Sequence, residues 1–376
     1  MGGQVRLREL AGVFLKLGTA AFGGPAAHIA MMEDEVVRRR GWMSREAFLD
    51  YLGATNLIPG PNSTEMAIHV GHACGGWRGL VVAGTAFILP AVAIVTALAW
   101  VYVRFGTLPA AAGVLYGVKP IVIVVMLQAL WRLGRTALKT RTLAVIGILA
   151  VAFVAAGANE LLVLVAAGLC AALASKRFIG PSSFAGAGPA AGFLAASSAA
   201  TAVPFAFSTL FLTFAKIGSV LFGSGYVLLA FLRADFVERL GWLTNQQLLD
   251  AVAVGQVTPG PVFTTATFIG YLLAGSRGAA VATAGIFLPA FLFVALSGPL
   301  VPRIRKSPTA SAFLDGVIVA SLALIAVVTW QLSRAAIVDP WTVAIAVAGA
   351  ILLFRFRVNS AWLVAAAALA GVVAHH

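Results

Sequence analysis

The chain has 376 residues, 61% of them hydrophobic and only 10% charged, which is too little charge to cover a water-soluble surface. A single soluble core is excluded. The net charge of +13 would point to nucleic acid in a soluble protein, but here the basic residues sit mostly in short loops between apolar segments, so no nucleic-acid partner is expected.

The chain opens with short apolar pieces. Residues 10–22 stop at Gly23-Gly24-Pro25, and a second piece returns toward Arg38-Arg39-Arg40. Residues 45–57 stop at Pro59-Gly60-Pro61, and residues 62–74 follow. As a helix, each piece would reach about 20 Å, short of the roughly 30 Å of hydrocarbon in a bilayer. Pro and Gly end helices through a missing N–H and through backbone freedom. The pattern reads as two helical hairpins that dip into the bilayer and turn back; the alternative is four short or tilted spans with kinks. Non-helical backbone at that depth is tolerated only inside protein or along a polar cavity. Conventional spans are predicted at residues 79–103, 109–131, 142–157 and 161–175. Residues 178–204 carry no charge and are rich in Gly, Ala, Ser and Pro, so they are either a loose linker or one weakly apolar crossing.

The text then repeats itself. Phe14, Lys16, Gly18, Phe22 and Gly23 recur 200 residues on as Phe214, Lys216, Gly218, Phe222 and Gly223. Gly41-Trp42, Asp50 and Pro59-Gly60-Pro61 recur as Gly241-Trp242, Asp250 and Pro259-Gly260-Pro261. The offset then drops to 199, with Pro90 matching Pro289 and Trp131 matching Trp330. Residues 1–177 and 205–376 are therefore two homologous halves. In the second, spans are predicted at 278–301, 310–330, 337–354 and 361–374. The fold expected is an all-α polytopic membrane protein, each half having two broken hairpins and then about four transmembrane helices.

Basic clusters at Arg38 to Arg40, Arg132, Arg135, Lys139 and Arg141 fall on one side of the first half, which makes that side cytoplasmic. In the second half, Arg303, Arg305 and Lys306, and then Arg355 and Arg357, occupy the loops that match sparse ones. The dense clusters change sides between copies, as inverted repeats require, while Arg233, Arg239, Arg277 and Arg334 count against it. A duplicated polytopic chain of this kind reads as a transporter with its site where the copies meet.

A helix restarting after a break presents free N–H groups and the positive end of its dipole, which bind oxyanions. After Pro61 the first turn holds Asn62, Ser63 and Thr64; after Pro261 come Thr264 and Thr265. The breaks at Gly23, Gly24 and at Gly223, Ser224, Gly225 would add two more such ends, with Gly60, Gly260, Asn56 and Gln256 beside the turns. The competing reading is that small residues merely let helices pack closely. Lys16 and Lys216 sit inside apolar pieces, where cations are costly and tend to be functional. They would balance a dianion, or else snorkel or pair structurally with Glu65 or Asp50. Glu65 suits a proton carrier, with His69 one turn on able to share the proton; a static counter-ion to Lys16 is the other option. Asp50 and Asp250 read as structural. Cys74 and Cys170 make no disulfide framework; His69, His72 and Cys74 invite a metal reading, but one helix with an i, i+3 histidine pair and no firm third ligand is weak evidence, and no metal or cofactor is expected.

The Phe-Gly-Gly-Pro break at Phe22, its altered copy at Phe222, the paired Pro-Gly-Pro breaks and the stretches Gly76-Trp77-Arg78-Gly79 and Gly275-Ser276-Arg277-Gly278 resemble the chromate ion transporter family in its long, two-domain form. The resemblance covers essentially the whole chain. It implies export of chromate across the bacterial cytoplasmic membrane, with sulfate as a related oxyanion and coupling to the proton gradient. The second half departs from the first: Gly24-Pro25 becomes Ser224-Gly225, Asn56 becomes Gln256 and Glu65 becomes Thr265. Two rival functions stay open from the residues alone: a membrane-embedded enzyme acting on a lipid phosphate, and a passive anion channel. The enzyme is disfavoured, since the chain lacks a His-Glu-x-x-His motif and a paired acidic magnesium site. A homodimer is one option that the sequence leaves open.

Overall fold

Runs of Ala, Leu, Val and Ile between polar or proline starts fold as helices, and the described residues contain no strand. The computed structural model describes residues 5–20, 25–55, 57–106, 109–177, 204–222, 225, 227–297, 307–356 and 358–374. Residues 178–203, and with them the choice between linker and crossing, lie outside that set.

The first repeat holds α1 (Leu7–Ala20), α2 (Pro25–Glu33, continued by a π-helical stretch Asp34–Arg39), α3 (Arg45–Thr55), α4 (Asn62–Phe105), α5 (Pro109–Ala137), α6 (Arg141–Ala155) and α7 (Glu160–Arg177). The second repeat holds α8 (Phe207–Val220), α9 (Leu228–Leu232, continued by π-helical Arg233–Arg239), α10 (Asn245–Val257) and a 3-10 turn (Val262–Thr264) that leads into α11 (Thr265–Ser297). It closes with α12 (Pro308–Ala336), α13 (Pro340–Phe354) and α14 (Ser360–Ala374). Local chemistry sets the ends. Thr140 caps α6 by accepting the Leu143 N–H, and Asp339 caps α13 by accepting from Thr342, with Pro340 in the first turn.

Two of the longest helices are broken. Non-helical dihedrals at Gly75 and Gly76 divide α4, and Ala274 and Gly275 divide α11 at the matching place. A Cβ on Gly71 would stand 2.4 Å from the Gly79 carbonyl oxygen, so the two parts of α4 fold back against each other. The predicted pieces at 62–74 and 79–103 are these two parts. Further contacts show two more reversals. Lys16 reaches Glu35 and Arg40 reaches Glu9, which lays α2 along α1. Tyr51 stacks on His69, which lays α3 along the start of α4.

The repeats pack through like pairs. α1 lies on α4 and α8 on α11, with Gly18 against the Phe87 carbonyl and Gly218 against that of Ile286. α4 and α11 pack on each other, as do α5 and α12. Across the repeats, α5 packs on α14 and α12 on α7. There Gly117 meets Ala367 and Gly371, and Gly316 meets Ala167 and Ala171, the small-residue contact that membrane helices use for close approach. Tyr116 donates to Asp339 at 2.6 Å and Gln128 to the Leu353 carbonyl at 3.4 Å, so α5 and α13 run in the same direction.

The largest apolar cluster joins α5 to α8, α10, α11 and α12, while a separate one lies within the first repeat around Phe14, Phe48 and Phe87. Trp77, Trp131, Trp330, Trp341 and Trp362 are exposed, a surface that suits lipid and its interface rather than water. The protein is a multi-pass membrane protein. By length and composition, four helical runs could cross a bilayer: Asn62–Phe105, Ala112–Ala137, Val262–Ser297 and Pro308–Ala336.

Candidate functional site

Each repeat contributes broken backbone, and the fold gathers the breaks. The Gly60 N–H donates to the Leu221 carbonyl at 2.8 Å, tying the first Pro-Gly-Pro turn to the end of α8 in the other repeat. A Cβ on Gly60 would lie 3.7 Å from the Ala290 Cβ of α11. A Cβ on Gly260 would lie 2.7 Å from the Ala91 Cβ and 3.3 Å from the Gly18 carbonyl oxygen. Gly225, at the other break of the second repeat, faces Val262 and Phe263 just past Pro261. Gly60 has φ +140° and Gly260 φ +94°, where an L side chain is strained. Glycine at these two turns answers both the backbone geometry and the approach of the opposite repeat.

In the first repeat, Asn62, Ser63 and Thr64 form the first turn of α4, as expected. Thr64 and Glu65 donate their N–H groups to the Pro61 carbonyl at 2.7 and 3.0 Å. Ser63, Thr64, Glu65 and His69 are buried. The Thr64 hydroxyl, both Glu65 carboxyl oxygens and His69 Nε2 find no hydrogen-bond partner among the described residues. Glu65 folds back over the turn: its Oε1 occupies the place where a Gly60 Cβ would go. His69 stacks on Tyr51, ring centroids 5.3 Å apart, and does not bond Glu65 directly.

In the second repeat the same turn is closed on itself. Thr264 Oγ1 donates to the Pro261 carbonyl and Thr265 Oγ1 to that of Val262, both at 2.8 Å. Gln256 is half-buried near the end of α10. Gly23, Gly24, Asn56, Gly223 and Ser224 lie outside the described residues.

The lysines take partners that the sequence reading did not name. Lys16 Nζ stands 3.8 Å from Glu35 Oε2, and Lys216 Nζ 2.6 Å from Asp235 Oδ2. These replace Glu65 and Asp50 as candidate partners. Arg39 and Arg239 hold the same two acids, at 3.5 and 2.9 Å. Each lysine is thus paired inside its own repeat, across its first hairpin, and not across the meeting of the breaks. Glu35 and Asp235 match at the 200-residue offset, a signal legible in the duplication once the lysines are chosen.

A second group was missed. Asp250, read as structural, is buried and receives Lys119 Nζ at 3.0 Å and the Tyr102 hydroxyl at 2.8 Å. Lys119 is a lone lysine inside the predicted span 109–131, and that was its signal. Two open clefts lie away from the breaks. One of about 450 Å³ is lined by Thr140, Arg141, Ala171 and Asp315; the other, of about 510 Å³, adjoins Trp100 and Arg104.

The family model for chromate transporters matches residues 8–173 and again 208–372, one match per repeat. A chromate transport protein of Cupriavidus metallidurans is 35% identical over 98% of this chain and 93% of its own length. One from Pseudomonas aeruginosa is 34% identical over 95% and 90%, and a probable chromate transport protein of Synechococcus elongatus 32% over 98% and 95%. No solved structure matches. A duplicated all-helical membrane fold, matched once in each repeat and along nearly its full length, leaves no place for the lipid-phosphate enzyme, and the chain belongs to the chromate transporter family.

Proposed function

We propose that the protein is a secondary active transporter that exports chromate from the bacterial cytoplasm, with sulfate as a competing substrate, and that the dianion binds where the helix breaks of the two repeats meet. The observation that carries this reading is the crossing of the turns: Gly60 bonds Leu221, and Gly260 abuts Ala91 and Gly18. Restarting helix ends point partial positive charge and N–H donors at one place. Asn62, Ser63 and Thr64 supply donors from the first repeat. Thr264 and Thr265 hold the matching turn in shape, and Gly60 contributes form, since its own N–H is engaged. Lys16 and Lys216 lie on the approach and can exchange their acids for the anion.

Glu65 and His69 carry the coupling proton. A buried carboxyl with no hydrogen-bond partner among the described residues, one residue past the anion's donors, takes up a proton on the outer face and gives it up on the inner one, opposite to the exported dianion. Proton and chromate binding are thereby linked. Alternating access uses inverted repeats. Support for the inversion comes from helix direction: Lys139, just past the end of α5, bonds Asp315 near the start of α12, while Gln246 links Lys119 near the start of α5 to Ala335 at the end of α12, so the equivalent helices α5 and α12 run oppositely. The early hairpins are then re-entrant, their tips at mid-depth.

Purified protein in proteoliposomes tests the reading. Chromate flux should saturate, be competed by sulfate more than by phosphate, and accelerate under an imposed pH gradient. Flux that neither saturates nor responds to the gradient would instead identify a passive anion channel.

A further inference from the structure

The cluster around Asp250 departs from the symmetry of the repeats in its residues and its burial. Asp50 matches Asp250 in sequence, yet Asp50 is exposed, while the Asp250 side chain is 6% exposed and that of Lys119 16%. The positions that match Lys119 and Tyr102 are Ile318 and Val301, so the pseudo-symmetry breaks here. The group is also entirely inter-repeat. Tyr102 stands near the end of α4 and Lys119 in α5; Asp250 and Gln246 stand on α10. Lys119 also donates to Gln246 Oε1 at 2.6 Å, and Gln246 passes the connection to the Ala335 carbonyl of α12 at 3.1 Å. The Tyr102 ring rests edge-on against Phe268 of α11. One charge pair therefore ties two helices of the first repeat to three of the second.

A buried lysine–aspartate pair across two units that must move is a two-state element: it is satisfied when the units meet and leaves buried charge when they part unless water enters. Its place sets the face it controls. Tyr102 lies just before Arg104, at the end of α4 away from Arg78, and Lys119 lies toward the start of α5, away from Arg132, Arg135 and Lys139. In the first repeat the ends richer in basic residues face the cytoplasm, and the cluster lies at the opposite ends, where Arg104, Arg233 bonded to Asn245, and Arg334 also stand. We propose that Lys119, Asp250 and Tyr102 form a one-sided latch that holds the non-cytoplasmic face closed and must part in each transport cycle. The latch rests on the transport reading above. Its residues are positioning residues, since none belongs to the converging breaks.

The test uses the full chain with Cys74→Ala and Cys170→Ala and a reporter Ala253→Cys, one turn along α10 from Asp250 and buried. A membrane-impermeant maleimide is applied to intact cells, and chromate flux is measured in proteoliposomes. Asp250→Asn should label at least about tenfold faster from outside, and Tyr102→Phe about threefold faster, with flux lowered in both. The exchanged pair Lys119→Asp with Asp250→Lys should return labelling toward the parent rate, and the rise confined to the outside is what a merely structural role would not produce. If Asp250→Asn fails to fold, Tyr102→Phe decides. Unchanged labelling in the folded variants, or faster labelling only from the cytoplasmic side, overturns the latch. A parent protein that moves no chromate overturns the transport reading and leaves the labelling result standing.

Discussion

In both restart turns the proline carbonyl accepts the N–H of the third residue on, Thr64 at 2.7 Å in the first repeat and Thr264 at 3.0 Å in the second. The backbones match; the side chains do not. In the second repeat both hydroxyls return to carbonyls of their own turn. In the first, the Thr64 hydroxyl and the Glu65 carboxyl have no hydrogen-bond partner among the described residues. The difference lies in what fills the turn: in the second repeat the two short threonine hydroxyls reach carbonyls of their own turn, whereas in the first the longer Glu65 side chain folds back over Gly60. Duplication kept the break in both copies and left the acid in one. Asp50 and Asp250 show the reverse case, with the second copy's acid drawn into the inter-repeat cluster. Each repeat thus serves as scaffold where the other carries charge.

The strongest way to break this comparison is Glu65→Thr, which gives the first turn the second one's chemistry. Gradient-driven chromate flux should fall roughly hundredfold, the upper end of a coupling of about 3 kcal/mol. The melting temperature should hold or rise, because a buried acceptor without a partner is removed. Flux that keeps its full response to the pH gradient would remove Glu65 from the coupling.

Gly60→Ala and Gly260→Ala come next. Each should cost about 1–3 kcal/mol in backbone strain, read as a lower melting temperature, and the two should fall together. Gly76→Ala is the comparison: φ is +59°, but a Cβ there meets nothing within 4 Å, so the cost should stay near 1 kcal/mol. Equal losses at all three would show that crossing of the turns adds nothing.

The lysine pairs should separate by burial. Lys216→Met leaves Asp235, 5% exposed, with Arg239 still attached, so about 1–2 kcal/mol is expected, below the roughly 3–5 of a bare buried charge. Lys16 is 63% exposed and 3.8 Å from Glu35, and Lys16→Met should cost under about 0.5 kcal/mol. Thermal melts in detergent compare the two. The hydroxyl pair repeats the contrast. Thr264→Ala should cost about 1 kcal/mol for its lost bond, while Thr64→Ala should cost close to nothing in stability and lower chromate flux.

Much of the architecture was legible in the residues. The doubled motifs set two repeats, and the glycine and proline breaks appear where Pro59-Gly60-Pro61 and its copy stand. Those signals are local: a missing N–H or a positive φ acts within one turn of chain. The π-helical stretches that carry Glu35 and Asp235 were not legible, since their extra residue per turn leaves no mark in composition. Lys119 stood in plain view, but its partner is 131 positions away on a helix of the other repeat.

By itself, then, the sequence determined that the chain is a duplicated membrane protein and where its helices stop, because those depend on hydropathy and on backbone chemistry within a few residues. Only the tertiary structure decided which break touches which and which acid each lysine holds. Partner choice follows from how the repeats pack, and buried charges take the opposite charge that packing brings within about 4 Å, whatever their distance along the chain.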